Sequence, residues 1–90
     1  MTEADLQRKM KDEVERRGGK VIKMHGGPYT VAGTPDLIGM LDGAAFAVEV
    51  KLPGAKTLTP KQINELRGWS EQGAKTGVAH SVEELLRIIT

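Results

Sequence analysis

Leu6, Met10 and Val14 recur at i, i+4 and i+8 with charged residues between them, and this spacing predicts an amphipathic helix. Thr2 is placed to cap its start, and Gly18-Gly19 to stop it. Lys20–Met24 is brief and β-branched at its centre, which predicts a first strand. The stretch from His25 to Gly33 contains three glycines and a proline and reads as a loop. It is not a phosphate-binding loop, because no Gly-Lys-Ser/Thr follows it and no helix opens after it.

Two largely apolar runs come next, Thr34–Leu41 and Ala44–Lys51, separated by Asp42-Gly43. Asp-Gly between such runs is a strong hairpin signal, since both central residues of the favoured turn need positive φ. Leu52-Pro53-Gly54-Ala55 ends the second run. Thr59-Pro60-Lys61-Gln62 then has Thr as N-cap, Pro at the first helical position and Gln three after the cap. Ile63, Leu66 and Trp69 continue on one face and Gly73 closes that helix. A last strand is expected around Val78-Ala79. Ser81-Val82-Glu83-Glu84 reads as a second capping box, opening a terminal helix with Leu85, Leu86, Ile88 and Ile89. The order α-β-β-β-α-β-α predicts an α/β fold, a central mixed sheet flanked by helices, in a single domain over residues 1–90. Phe46, Met40 and Trp69 fall on apolar positions and are expected in the core.

Composition narrows the class. No apolar run approaches the roughly 20 residues that span a bilayer, so no membrane segment is expected. The acidic start, Met1-Thr2-Glu3-Ala4-Asp5, does not read as a signal peptide. The absence of cysteine removes disulfides, thiolate zinc sites and a cysteine nucleophile, and the expected location is cytoplasmic. A chain of 90 residues buries a small core, which makes a homodimer a reasonable expectation. Thirteen Lys and Arg against twelve Asp and Glu leave +1, no strongly basic coat for nucleic acid. The distribution is uneven, however. Residues 24–50 contain three acids, Asp36, Asp42 and Glu49, and no Lys or Arg, whereas 1–23 and 51–77 are net basic. Such a pattern fits an electronegative pocket in a positive surface, and it fits chance as well.

The hairpin adds geometry to this charge pattern. With a two-residue turn, Leu41 faces Ala44, and stepping back along both strands puts Asp36 opposite Glu49 on one side of the sheet. Lys51, two residues beyond Glu49, belongs to that side too. Facing carboxylates repel and need compensation. Lys51 alone supplies it in one reading; in the other the pair holds a hard divalent cation, for which carboxylates and water are the expected ligands.

Gly33-Thr34-Pro35-Asp36-Leu37, Val48-Glu49-Val50-Lys51 and Leu58-Thr59-Pro60-Lys61-Gln62, in that order, resemble the PD-(D/E)xK nuclease superfamily and, within it, the virus-type replication-repair nuclease (VRR-NUC) family. The similarity extends over nearly the whole chain, from Glu3 in the first helix to Gly73 before the last strand. It implies that Asp36 and Glu49 ligate Mg2+ or Mn2+, with the Val50 carbonyl and Glu3 as further candidate ligands. Lys51 would orient or help deprotonate the attacking water, and Gln62 would lie near the catalytic site. It further implies a metal-dependent, structure-selective DNA endonuclease, with no organic cofactor. Four-way (Holliday) junctions are the expected substrate, cut by a homodimer because symmetric nicking needs two equivalent sites. A phage or prophage source, and so a bacterial host cytoplasm, is also implied. A flap or nicking nuclease, like the fused domain of the Fanconi-associated nuclease, is the second enzyme reading. A nucleic-acid-binding module without turnover is the third, and the intact Asp36, Glu49 and Lys51 set speaks against it.

Several residues have competing roles. Glu3 equally suits the first-turn dipole of its helix, and Gln62 has a capping job of its own. His25 reads as a solvated loop histidine and His80 as structural. Tyr29 could stack on an unpaired base. Lys9, Arg16, Arg17, Lys20, Lys56 and Lys61 are candidate phosphate contacts.

Overall fold

The computed structural model describes residues 1–24, 31–55 and 57–90. Seven elements follow in order: α1 (Glu3–Arg16), β1 (Lys20–Lys23), β2 (Leu37–Leu41), β3 (Ala44–Val50), α2 (Pro60–Glu71), β4 (Lys75–Ala79) and α3 (Val82–Ile89). The expected α-β-β-β-α-β-α order is observed. His25, Tyr29 and Lys56 lie outside the described residues.

The strands form one sheet in the order β1-β2-β3-β4, antiparallel except for the parallel pair β3–β4. A parallel pair requires a crossover, and α2 supplies it. The β2–β3 turn has Asp42 at φ 52° and Gly43 at φ 79°, the left-handed pair that a two-residue hairpin demands. Leu41 therefore faces Ala44 and Leu37 faces Val48. The next step along both strands brings Asp36 and Glu49 face to face.

Alternation divides the sheet into two faces. Leu37, Leu41, Phe46, Val48, Val50 and Ala79 form the main core with Leu6, Met10 and Val14 of α1 and Leu85 and Ile89 of α3. Among the described residues, α2 covers the opposite face where it packs on β3 and β4. This explains why β3 is buried from Phe46 through Val50 without alternation: helices lie on both sides of it. It also corrects the expectation for Met40, which sits on the same side of the sheet as α2 but away from it, on β2, and is 49% exposed. Ile63, expected on the packed stripe of α2, is 44% exposed, and Leu66 is the buried residue of that helix. Trp69 is half-buried.

The caps are mostly as expected. Thr2 and Asp5 form a reciprocal capping box on α1, as do Thr59 and Gln62 on α2. On α3 only half the box forms. Ser81 Oγ accepts from Glu84 N, but the Glu84 carboxylate turns to the backbone N–H and ring of His80.

Gly39 sits where β1 and the Phe46 ring pack closely on β2. A Cβ there would lie 2.1 Å from the Lys20 carbonyl oxygen and 2.9 Å from Cζ of Phe46. Neither backbone nor a buried ring can give way cheaply, so Gly39→Ala should destabilise the fold by about 3 kcal/mol. Urea unfolding checks this; an unchanged midpoint would mean that β1 and β2 are not held this closely.

Candidate active site

Asp36 follows the buried Pro35 at the mouth of β2 and is held from two sides. Its carbonyl oxygen accepts from Met24 N at 2.8 Å, extending the β1–β2 ladder by one bond. Its side chain reaches across the hairpin, where Oδ2 accepts from Val50 N at 2.8 Å. The carboxylate orientation is thus set by backbone rather than by a flexible partner. Gly33 fixes the approach to this residue. Its φ is +84°, and a Cβ on it would stand 2.7 Å from the Lys61 carbonyl oxygen and 3.1 Å from Gln62 N. The segment entering β2 therefore rests on the first turn of α2, and only glycine permits that contact.

Glu49 is 2% exposed, the one buried charged residue among those described, and its Oε2 has no hydrogen-bond partner. Burial pushes its pKa up to about 9, helped by the neighbouring Asp36, whose charge repels a second anion. Lys51 pulls in the opposite direction, and Glu3 adds a weaker upward push. Natural proteins rarely leave a buried carboxylate oxygen unpaired, because desolvating it without a partner is costly. Two adjacent hard oxygen donors, one of them unpartnered, match what a divalent cation takes from protein. The residues present therefore fit the cation.

Glu3, Gln62 and His80 stand differently. Among the described residues no three His, Cys, Asp or Glu side chains converge closely enough to hold a metal ion, so Glu3 is not grouped with Asp36 and Glu49. It acts on Glu49 through its charge, from the first turn of α1. Gln62 folds back on its cap: Thr59 N donates to Oε1 at 2.9 Å, and Gln62 N donates to Thr59 Oγ1 at 3.2 Å. His80 follows β4, and its Nδ1 lies 2.8 Å from Glu84 Oε2. Lys51 continues from β3 beside it, with Lys51 N donating to the Ala79 carbonyl at 3.1 Å.

No family model matches the sequence, and no curated protein is significantly similar to it. Solved structures are. A protein described as a VRR-NUC domain is 30% identical, covering 97% of this chain and 92% of its own, with a TM-score of 0.74. The chain belongs to the VRR-NUC family. A second VRR-NUC domain protein superposes with a TM-score of 0.77 at 22% identity, over 99% of this chain and 85% of the other. The Holliday junction resolvase Hjc of Archaeoglobus fulgidus shares the fold at 22% identity and a TM-score of 0.66, over 84% of this chain and 65% of its own.

Within the VRR-NUC fold of this chain, the hairpin, the β3–β4 pair and the start of α2 meet at one end of the sheet, and Asp36, Glu49 and Lys51 stand there together. The sequence placed all three on one side of the sheet. It missed the backbone hold on Asp36 and the support from Gly33, because a carboxylate reaching a backbone N–H fourteen residues away leaves no local signal.

Proposed function

We propose that this VRR-NUC chain is a metal-dependent endonuclease that hydrolyses phosphodiester bonds in branched DNA, acting on four-way junctions as a homodimer. The observation that carries the reading is the buried, unpartnered Glu49 oxygen beside Asp36, with Lys51 on the same side of the sheet. The kinship of fold with a Holliday junction resolvase supports the choice of substrate. No helix among the described residues is long and apolar enough to cross a membrane.

Asp36 and Glu49 would hold Mg2+ or Mn2+, with the Val50 carbonyl as a further oxygen donor. When bound, the cation supplies Lewis acidity toward the phosphodiester and lowers the pKa of an attacking water. The remaining work belongs to the chain. The Val50 N–H keeps Asp36 aimed, so no reorientation is needed on binding. Burial of Glu49 keeps competing water from its carboxylate and strengthens its interaction with a cation. Lys51 adds positive charge where negative charge accumulates on the phosphoryl oxygens during displacement. Gln62 shapes the wall of the site by fixing the first turn of α2, against which the Gly33 segment rests.

The test is cleavage of end-labelled four-way junction, flap and plain duplex DNA in Mg2+, in Mn2+ and in EDTA. Paired symmetric nicks in the junction, lost in EDTA, are expected. Cutting confined to the flap base would replace the junction reading, and no cutting in either metal would overturn the enzyme reading. Metal binding should also release a proton. Because Glu49 holds one up to about pH 9, apparent Mg2+ affinity should rise with pH between 6 and 9, by up to about tenfold per unit. Calorimetry in two buffers of different ionisation enthalpy reads this directly; identical heats would mean that Glu49 is already ionised.

A further inference from the structure

Beside the carboxylate pair lies a groove of about 450 Å3, between the ends of β3 and β4 and the start of α2. Leu58, Ile63 and Val78 give it apolar walls, while Lys51, Thr57 and His80 supply polar groups. We propose that this groove seats an unpaired nucleobase of the DNA strand whose phosphate lies at Lys51. The proposal rests on the reading of Lys51 as the lysine that faces the scissile phosphate.

Position and charge select the occupant. Val78 is the β4 neighbour of Glu49, so the groove begins one strand away from the carboxylates. A group anchored there by its own phosphate on Lys51 is connected to the reacting strand, and its apolar faces meet Leu58, Ile63 and Val78. A base inside a duplex has both faces stacked, whereas an unpaired base exposes a flat apolar face to be buried. The volume lies in the range of sites that take small, mostly apolar ligands with a few polar contacts.

His80 is set up to make such a polar contact. Glu84 Oε2 accepts from His80 N at 2.7 Å and lies 2.8 Å from Nδ1. The backbone N–H of His80 leads the groups that hold the Glu84 carboxyl below the usual carboxylate range. An ionised carboxylate only accepts, so Nδ1 carries the hydrogen that faces Glu84, and Nε2 is the ring's remaining polar atom. A ring nitrogen at the groove suits a base edge that carries both an amino donor and ring-nitrogen acceptors, such as that of adenine. His80 is thus a positioning contact for the strand, with Glu84 holding its ring.

The experiment uses the full chain in Ca2+ and fluorescence anisotropy on three labelled duplexes: fully paired, carrying one unpaired adenine, and carrying an abasic residue at that bulge. The adenine bulge should bind about tenfold more tightly than the abasic bulge. Ile63→Ala, at a position exposed enough to spare the core, should remove most of that difference and leave abasic binding unchanged. His80→Ala should reduce the difference and His80→Gln restore part of it. Equal binding of the two bulges, or a difference that Ile63→Ala leaves intact, overturns the proposal. Cleavage of a junction in Mg2+ by the same preparation separates the two readings. Cutting without base preference overturns only the groove, base preference without cutting overturns only the nuclease, and absence of DNA binding overturns both.

Discussion

Glu49→Gln will abolish cutting and make the metal-free protein more stable. Both effects come from the same burial. The carboxylate is enclosed, one oxygen has no partner, and Asp36 stands against it. With its folded pKa raised to about 9, the native state binds this proton more tightly than the unfolded chain does. Stability therefore carries no penalty from Glu49 below the ordinary carboxylate pKa and falls as pH rises from there toward about 9. Glutamine is close in shape and carries no charge to desolvate, so the penalty disappears. A gain of about 1 kcal/mol raises Tm by about 4–8 °C in a domain of this size. Melting curves from pH 5 to 9 should show the wild type losing stability across the window, the variant holding level, and Mg2+ restoring the wild type alone. Loss of the ligand should lower the cleavage rate by more than about a hundredfold. A variant that still cuts at the wild-type rate, or a wild type whose Tm is flat across the window, would sink the assignment.

Lys51→Ala should be as damaging to cleavage, by a separable route. Removing a positive charge from a site where transition-state charge develops costs about 10²–10³ in rate. Lys51 also eases ionisation of Glu49. Its loss should leave the proton more tightly held and weaken Mg2+ binding at neutral pH. Raising the pH should then recover metal binding in the variant without recovering cleavage. Parallel recovery of both would reduce Lys51 to a tuner of Glu49, with no role at the phosphate.

The local elements were legible because each is announced by short-range chemistry. The Thr59-Pro60-Gln62 start, the Asp42-Gly43 turn and the i, i+4, i+8 stripe of α1 need no distant partner to form. The facing of Asp36 and Glu49 was legible for a related reason: a two-residue turn sets the register for the whole hairpin, and side chains repeat with period two. The Glu84 cap on α3 was misread, because a carboxylate within reach of Ser81 N also reaches the backbone and ring of His80, and the latter pair offers two partners. Nothing in the sequence weighs one against the other.

The sequence by itself determined the order of elements, the hairpin register and the side of the sheet that carries Asp36, Glu49 and Lys51. Only the tertiary structure decided which parts of that side are covered. Met40 and Glu49 lie on the same side of the sheet by alternation, yet one is 49% exposed and the other 2%. Strand period says which residues share a face, while burial depends on where the crossover helix lands. In this chain α2 lands on β3 and β4, while Ile22 of β1 and Met40 of β2 on that side stay exposed. With α2 placed there, Glu49 lies out of water and its Oε2 has no partner, an arrangement suited to a cation.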